Sequence, residues 1–228
     1  MVHSFKVLLS LALLGSVHLS SWAQAEWPKA KPVTLLVAFA PGASSDIVAR
    51  SLTQKLNELT GGNFVVENRG GAGGNIASGQ VKRAAPDGYT ILVHSVAFAV
   101  NPSLYADAGY DALKDFVPVA LGPKTPNIFT VNPSVAAKTL PELVEAAKKS
   151  PFSYASSGIG TTTHLSMERL KMAAKVDIVH VPYQPAAAVN AVVAGHTQIA
   201  STSMPPAVPM IKSGKLKAIA VTSATRSP

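Results

Sequence analysis

The sequence contains no cysteine in its 228 residues. This absence excludes disulfide bonds, thiolate nucleophiles and cysteine-based metal sites. Aromatic residues make up only 6% of the chain, and the 20 basic residues behind the formal net charge of +8 are scattered rather than grouped into a Lys/Arg-rich block. We therefore predict no nucleic-acid partner and interpret the charge as favouring solubility and a weak attraction for anions.

Long hydrophobic runs are missing except near the N-terminus. Residues 1–25 combine a short basic start that ends at Lys6, the apolar stretch VLLSLALLGSVHL and the small-residue ending Ala23–Ala25. This order is typical of a secretory signal peptide, with cleavage expected after Ala25. The alternative is a single membrane anchor, but the apolar core is about a dozen residues long, which is short of the ~20 residues that span a bilayer. We therefore expect an exported protein.

The sequence has instead a regular alternation of short apolar strands and helical patterns. Val33–Phe39 is a continuous apolar run typical of a buried strand, and Val48, Leu52, Leu56 and Leu59 follow it at helical spacing. The strand patterns FVVEN and YTILVHS complete a βαβαβ unit. This order predicts a first lobe over residues 26–123, with a mainly parallel sheet covered by helices.

A second α/β lobe is predicted over residues 124–228. Residues 101–133 are rich in proline and carry an acidic cluster, so we interpret them as a crossover between the lobes. Thr139 and Glu142 then form a capping box, and the strand patterns FSYAS, VDIVHVPY, TQIAS and LKAIAVTS alternate with helices. The first lobe has only three clear strands and the sequence stops after a strand, so we expect a C-terminally truncated chain with an incomplete first lobe.

Two strand-to-helix junctions are the strongest candidates for a ligand site. Pro41–Asp46 and Ser156–His164 each place small residues between the end of a strand and the start of a helix. Ligands bind at that edge of open α/β sheets, and the free N–H groups of a helix start favour anions. One such contact contributes about 0.3–1 kcal/mol when exposed, whereas micromolar binding requires about 8 kcal/mol. Two junctions that face each other could bind a small carboxylate, although each could also be an ordinary capped helix.

The remaining motifs do not support catalysis or cofactor binding. The glycine loop RGGAGGNIASG contains no G-x-G-x-x-G, because Ile76 stands where the third glycine should be, and we interpret it as a close-packing turn. The histidines have no metal-ligand spacing, and no G-x-S-x-G elbow occurs. We predict no enzyme activity, no cofactor and no metal. The alternative is an exported α/β hydrolase with Ser44 or Ser45 as nucleophile, which would need a histidine base within about 3 Å.

Taken together, segments along the whole predicted mature chain resemble the periplasmic substrate-binding receptors of tripartite tricarboxylate transporters, the TctC or Bug family. The longest of them are VTLLVAFAPGASSDIVAR, VVENRGGAGGNIASG, YASSGIGTTTHL and IKSGKLKAIAVTSATRSP. The resemblance implies a two-lobed, periplasmic-binding-protein type II-like α/β architecture, in which each lobe has a mainly parallel sheet flanked by helices. It also implies a periplasmic receptor, expected to be a monomer, that captures a small carboxylate and delivers it to membrane permease subunits. A receptor that serves a sensor instead of a transporter is a further alternative.

Carried over by position, the resemblance places the ligand on the two junctions. The expected ligand-binding residues are Pro41, Gly42, Ala43, Ser44, Ser45, Ser156, Gly158, Gly160, Thr161 and Thr162. Supporting positions are expected for Asp46, His164, Tyr183 and Thr202.

The sequence also departs from the family pattern at three places. Ala43 stands where a second glycine is usual, Gln184-Pro185 replaces Lys-Gly, and Ser201-Thr202 replaces Phe-Asp. Pro185 removes an N–H donor, and Thr202 removes an acidic partner for a ligand amine. We therefore hypothesise that the ligand is a carboxylate without an amino group.

Overall fold

The computed structural model describes residues 26–227, so the expected signal peptide lies outside the described residues. The first lobe is built from the following elements: β1 Val33–Val37, α1 Ser44–Thr60, β2 Phe64–Asn68, α2 Asn75–Lys82, β3 Thr90–Val93 and α3 Ala97–Leu104. The second lobe is built from β4 Asn127–Val131, α4 Leu140–Lys149, β5 Phe152–Ser156, α5 Thr162–Ala174, β6 Ile178–Pro182, α6 Pro185–Val193, β7 Ile199–Ser203, α7 Met204–Lys212 and β8 Lys217–Val221.

The first lobe is a three-stranded parallel sheet in the order β2-β1-β3. Because β1 is central, its alternating side chains supply both faces of the core. Val33, Leu35 and Val37 pack with Ala49 of α1, whereas Leu36 packs with the group that includes Ala77 of α2. The helices therefore cover both faces of the sheet, as the continuous apolar run of β1 predicts.

The second lobe is a five-stranded sheet in the order β6-β5-β7-β4-β8. Strand β5 pairs in parallel with β6 and β7, whereas β4 runs antiparallel to β7 and β8. One core group contains Leu143 of α4 and Met167 of α5, and the other contains Val189 of α6 and Ala207 of α7. The predicted α/β fold, with mainly parallel sheets flanked by helices, is confirmed.

The crossover prediction for residues 101–133 was wrong at both ends. Helix α3 extends to Leu104 with Pro102 inside it, and β4 occupies a central position in the second sheet with all five residues buried. Both elements are short and lie among prolines, so neither shows a long periodic pattern. The connection between the lobes is the exposed stretch over residues 117–125, which leads to β4. Among residues 26–227, no helix combines the length and apolarity needed to cross a bilayer.

Candidate ligand-binding site

A cavity of about 370 Å³ lies between the two lobes, where β1, β5 and β6 end. This volume falls within the range of roughly 300–1,000 Å³ that is usual for small-molecule sites. No lining residue carries a charge. The first lobe contributes Phe39, Gly71, Ala72, Gly73, Gly74 and Tyr105, and the second lobe contributes Ser157, Gly158, Ile159, Pro182, Tyr183 and Gln184.

The glycine loop forms the first-lobe wall of this cavity. Gly73 has a φ of +63°, and a Cβ at this position would lie 2.8 Å from the carbonyl oxygen of Ile159 in the second lobe. Only glycine therefore allows the two loops to approach this closely. The buried Asn101 fixes the loop, because its Nδ2 donates to the Gly73 carbonyl at 3.0 Å and to Asn75 Oδ1 at 2.6 Å. The glycine pattern predicted the close packing of this loop but not its place at the ligand site.

The first predicted junction is held in shape by Asp46. Its Oδ2 accepts from the Gly42 N–H at 2.9 Å and its Oδ1 accepts from Asn68 Nδ2 at 2.9 Å, while Arg50 forms an ion pair with it at 3.0 Å. Burial raises the pKa of Asp46, but the hydrogen bonds from Arg50, Gly42 and Asn68 outweigh it, and the pKa lies below its ordinary value of 3.8. The Asp46 carboxylate therefore stabilises the first junction without lining the cavity.

The same junction touches the second lobe directly. The Ser44 hydroxyl donates to the Ser203 hydroxyl at 2.7 Å, which joins the start of α1 to the end of β7. Close by in sequence, the Ser45 and Thr202 hydroxyl oxygens are buried and have no hydrogen-bond partner within residues 26–227. Pro41–Ser45 is therefore placed at a contact between the lobes, although it does not line the cavity.

The second predicted junction forms the opposite wall. The Thr161 side chain caps α5 by accepting from the His164 N–H at 3.4 Å, and its hydroxyl donates to the Gly158 carbonyl at 2.6 Å. Ser157 is tied to the same helix, because its N–H donates to Thr163 Oγ1 at 3.0 Å. The loop that carries Gly158 is thus anchored on the first turn of α5, with Ser157 and Ile159 facing the cavity.

Two histidines lie behind this loop. His180 Nε2 lies 2.7 Å from the Ser156 hydroxyl, and its ring stacks on Tyr154 with centroids 4.7 Å apart. The His164 ring lies 4.5 Å from that of His180. Burial lowers the pKa of both histidines, and for His180 burial and the neighbouring His164 together lower it to about 4.

The structure brings together part of the predicted set. Two predicted residues line the cavity, Gly158 and Tyr183, and four more frame the loop of the second junction: Ser156, Gly160, Thr161 and Thr162. The lining residues that sequence reasoning missed are Phe39, Gly71, Ala72, Gly73, Gly74, Tyr105, Ser157, Ile159, Pro182 and Gln184. Most of them lie at the carboxyl ends of strands β1, β2, β5 and β6 or a few residues beyond, so the ends of these parallel strands were the signal to follow.

The geometry gives the serine-nucleophile alternative no base. The Ser44 hydroxyl is bonded to Ser203, and no histidine hydrogen-bonds to Ser44 or Ser45 among residues 26–227. The same part of the chain holds no group of three His, Asp or Glu side chains that could bind a metal ion.

Residues 48–228 match the family model of the tripartite tricarboxylate transporter family receptor, TctC. The chain belongs to this family. The resemblance seen in the sequence is therefore confirmed, and the TctC receptors are substrate-binding proteins of the periplasm and not enzymes. The hydrolase alternative is wrong.

Several known TctC-type proteins resemble the chain closely. A UPF0065 protein of Pseudomonas sp. strain P51, from the tcbD–tcbE intergenic region, is 34% identical over 226 residues, which cover 98% of this chain and 67% of that protein. An R. palustris protein solved with adipate superposes with a TM-score of 0.84 at 33% identity, over 88% of this chain and 68% of that one. MatC from Rhodopseudomonas palustris, solved with bound malate, has a TM-score of 0.77 at 31% identity, over 86% and 68%. The chain thus spans about two thirds of the length of these TctC-type proteins.

Proposed function

We propose that this TctC-type chain captures a small carboxylate without an amino group in the cavity between its lobes and delivers it to a tripartite tricarboxylate-type membrane permease. The observation that carries the proposal is the cavity itself, which has glycine-rich loops on opposite walls and no charged side chain in its lining. Two solved relatives hold dicarboxylates, adipate in one and malate in the other.

Neutral donors supply the carboxylate site. The cavity offers the backbone of the glycine loop and of Ile159, together with the side chains of Tyr105, Ser157 and Gln184. Hydrogen bonds from fixed N–H and O–H groups to an ionised carboxylate are roughly twice as strong as those between neutral groups. Several such donors on opposite walls can hold an anion without a lysine or arginine, and the start of α5 adds a favourable dipole.

The lining also indicates what the rest of the ligand looks like. Phe39, Ile159 and Tyr183 present apolar surface suited to a short hydrocarbon body. No aspartate or glutamate lines the cavity, so a ligand ammonium group would be buried without an acidic partner. Burial of an unpaired charge is costly, which disfavours amino acids.

The setting of the receptor is part of the same proposal. Residues 1–25 act as a signal peptide that is cleaved after Ala25, and the mature chain works in the periplasm as a monomer. The lobes divide at residues 123 and 124. The exposed stretch over residues 117–125, which lies between α3 and β4 and joins the two sheets, supports this division.

The test compares matched ligand pairs on the chain purified from the periplasm of an expressing bacterium. Thermal shift and calorimetry are measured with succinate against aspartate, with glutarate against glutamate, and with adipate and malate. We expect at least one dicarboxylate to bind, and each deaminated acid to bind more tightly than its amino acid. An amino acid that binds far better than its deaminated analogue overturns the ligand assignment, and binding of no carboxylate at all overturns the receptor proposal.

A further inference from the structure

The imidazole rings of His164 and His180 pack together directly behind the cavity wall. The wall segment Ser157–Thr161, called here the ligand loop, presents Ser157, Gly158 and Ile159 to the cavity. His164 lies in the first turn of α5 and His180 in the edge strand β6, with ring centroids 4.5 Å apart. Neither His164 nor His180 lines the cavity.

Each ring is connected to an amide group of the ligand loop. The Gly160 N–H donates to His164 Nδ1 at 3.4 Å. On the other side, the Gly158 N–H donates to the Ser156 hydroxyl at 3.1 Å, and that hydroxyl lies 2.7 Å from His180 Nε2. The two histidines therefore hold two glycine amides that are two residues apart.

These hydrogen bonds depend on the protonation state of the rings. A backbone N–H can only donate, so His164 Nδ1 must carry no proton in order to accept from Gly160. The Ser156 hydroxyl can donate to His180 Nε2 when this nitrogen is unprotonated, which leaves its oxygen free to accept from the Gly158 N–H. A proton on His164 Nδ1 therefore removes the acceptor of Gly160, and a proton on His180 Nε2 makes the Ser156 oxygen an acceptor for two donors at once.

The charged groups around the pair do not compensate two imidazolium ions. Glu168 is the acidic neighbour, but its Oε1 already accepts from the Tyr154 hydroxyl at 2.6 Å and from Lys171 Nζ at 3.0 Å. Lys171 and the second histidine both oppose protonation of His180. Neutral rings are therefore the form that this cluster stabilises, in agreement with the lowered pKa values of both histidines.

We propose that His164 and His180 are positioning residues, whose neutral rings hold the ligand loop, through its Gly158 and Gly160 amides, in the conformation that binds the ligand, and whose protonation releases the ligand loop. The part of this proposal that concerns the hydrogen bonds between the histidines and the ligand loop does not depend on which ligand binds. The expected loss of ligand affinity in acid rests on the proposed function.

The first experiment reads the loop without any ligand. Amide NMR signals of Gly158 and Gly160 are followed between about pH 7 and about pH 3.5, a range that extends below the lowered pKa of His180, about 4. We expect the Gly160 signal to titrate with His164 and the Gly158 signal to titrate with His180. His164→Asn keeps an acceptor near the Nδ1 position but cannot be protonated in this range, so it should keep the neutral-pH Gly160 signal and abolish its titration. His180→Gln should do the same for Gly158.

The control variants separate positioning from simple packing. His164→Leu removes the acceptor, and we expect faster hydrogen exchange at the Gly160 amide than in His164→Asn. His196→Gln changes an exposed histidine elsewhere on the lobe and should leave both glycine signals unchanged. Equal exchange in the Leu and Asn variants, or glycine titrations that persist in His164→Asn and His180→Gln, would overturn the proposal.

The second experiment adds the ligand. Succinate affinity is measured at both pH values for the parent chain and for the double variant His164→Asn, His180→Gln. The parent chain should lose about three- to tenfold more succinate affinity in acid than the double variant loses. This difference corresponds to about one lost hydrogen bond. An equal loss of succinate affinity in both chains overturns the proposal that protonation of the histidines releases the ligand loop. Glycine titrations that vanish as expected, with no succinate binding by either chain, uphold the loop positioning and count against the proposed ligand.

Discussion

At the scale of single residues, Asp46 is the side chain that organises the first junction. It is 3% exposed, and it is the shared acceptor for Gly42, Arg50 and Asn68. Asp46→Ala leaves these donors without their carboxylate, and an unsatisfied buried donor costs about 1–3 kcal/mol. We expect the free energy of unfolding to fall by about 2–3 kcal/mol, measured by urea denaturation at neutral pH.

The matched control for this substitution is Asp177→Ala. Asp177 is exposed, and it makes none of the side-chain hydrogen bonds or ion pairs found among residues 26–227. Its removal should change the free energy of unfolding by less than about 0.5 kcal/mol, as is usual for surface sites. Equal effects from the two alanine variants would show that the Asp46 network does not stabilise the junction.

Ser44 is the residue through which this junction contacts the second lobe. Ser44→Ala removes the hydroxyl that donates to Ser203. Because a hydrogen bond contributes about 0.5–1.5 kcal/mol, we expect ligand affinity to weaken by about two- to tenfold in calorimetry with the best-binding dicarboxylate. Ser51→Ala, an exposed position on the same helix, is the control and should bind normally. Unchanged affinity in Ser44→Ala would mean that the Ser44–Ser203 hydrogen bond does not favour the arrangement of the lobes that binds the ligand.

At the scale of elements, the glycine loop and the ligand loop determine how closely the lobes approach. Gly73→Ala adds a methyl group that would lie 2.8 Å from the Ile159 carbonyl oxygen, and the φ of +63° is unfavourable for alanine. Gly109→Ala, at φ +77° with nothing within 4 Å, shares the backbone penalty but has no clash. We expect both variants to lose about 1 kcal/mol of stability in urea denaturation from the backbone alone.

Only the Gly73 substitution should separate the lobes. Its ligand affinity should fall more than tenfold in calorimetry, because binding needs both walls of the cavity, whereas Gly109→Ala should bind as the parent does. If Gly73→Ala keeps full affinity, the glycine loop is not part of the ligand site.

Local patterns were sufficient to predict most elements. The continuous apolar run of β1 and the helical spacing from Val48 to Leu59 place β1 and α1, and Gly61, at φ +63°, caps the end of the helix. The same logic failed for β4, because five residues between prolines carry no periodic pattern and only the neighbouring β7 and β8 make them a strand. Whether a segment forms a buried strand depends on the neighbouring strands as well as on its own sequence.

The candidate site was less predictable than the fold. Helix-start chemistry identified both junctions, the loop around Gly158 and Pro41–Ser45, and the family resemblance placed the ligand on both. Neither could show that Ser44 contacts the end of β7 while Gly71–Gly74 forms the cavity wall, since that depends on how the lobes pack. The histidines were interpreted one at a time, and the β5–β6 register that places Tyr154 beside His180 was needed to show their cluster.

At the scale of the whole molecule, buried neutral histidines link stability to pH. His94 lies between the rings of Phe39 and Phe98, its Nε2 is buried without a partner among residues 26–227, and burial lowers its pKa to about 4. Because the unfolded chain titrates nearer the ordinary value of 6.5, it binds more protons than the folded chain between these two values. The stability is therefore complete above about pH 6.5 and falls as the pH drops towards 4.

This linkage predicts a measurable change in acid. Between about pH 7 and pH 4.5, His94 should account for a loss of about 1–2 kcal/mol in the free energy of unfolding, measured by urea denaturation. His94→Asn keeps an acceptor for the Ser95 N–H, which donates to His94 Nδ1 at 2.8 Å, but it has no imidazole to protonate. This variant will be less stable at both pH values because it lacks the ring. Its free energy of unfolding should nevertheless fall less between the two pH values than that of the parent chain, by the roughly 1–2 kcal/mol assigned to His94. His196→Asn should keep the full loss, and an equal loss in His94→Asn would show that His94 is not the group that couples folding to pH.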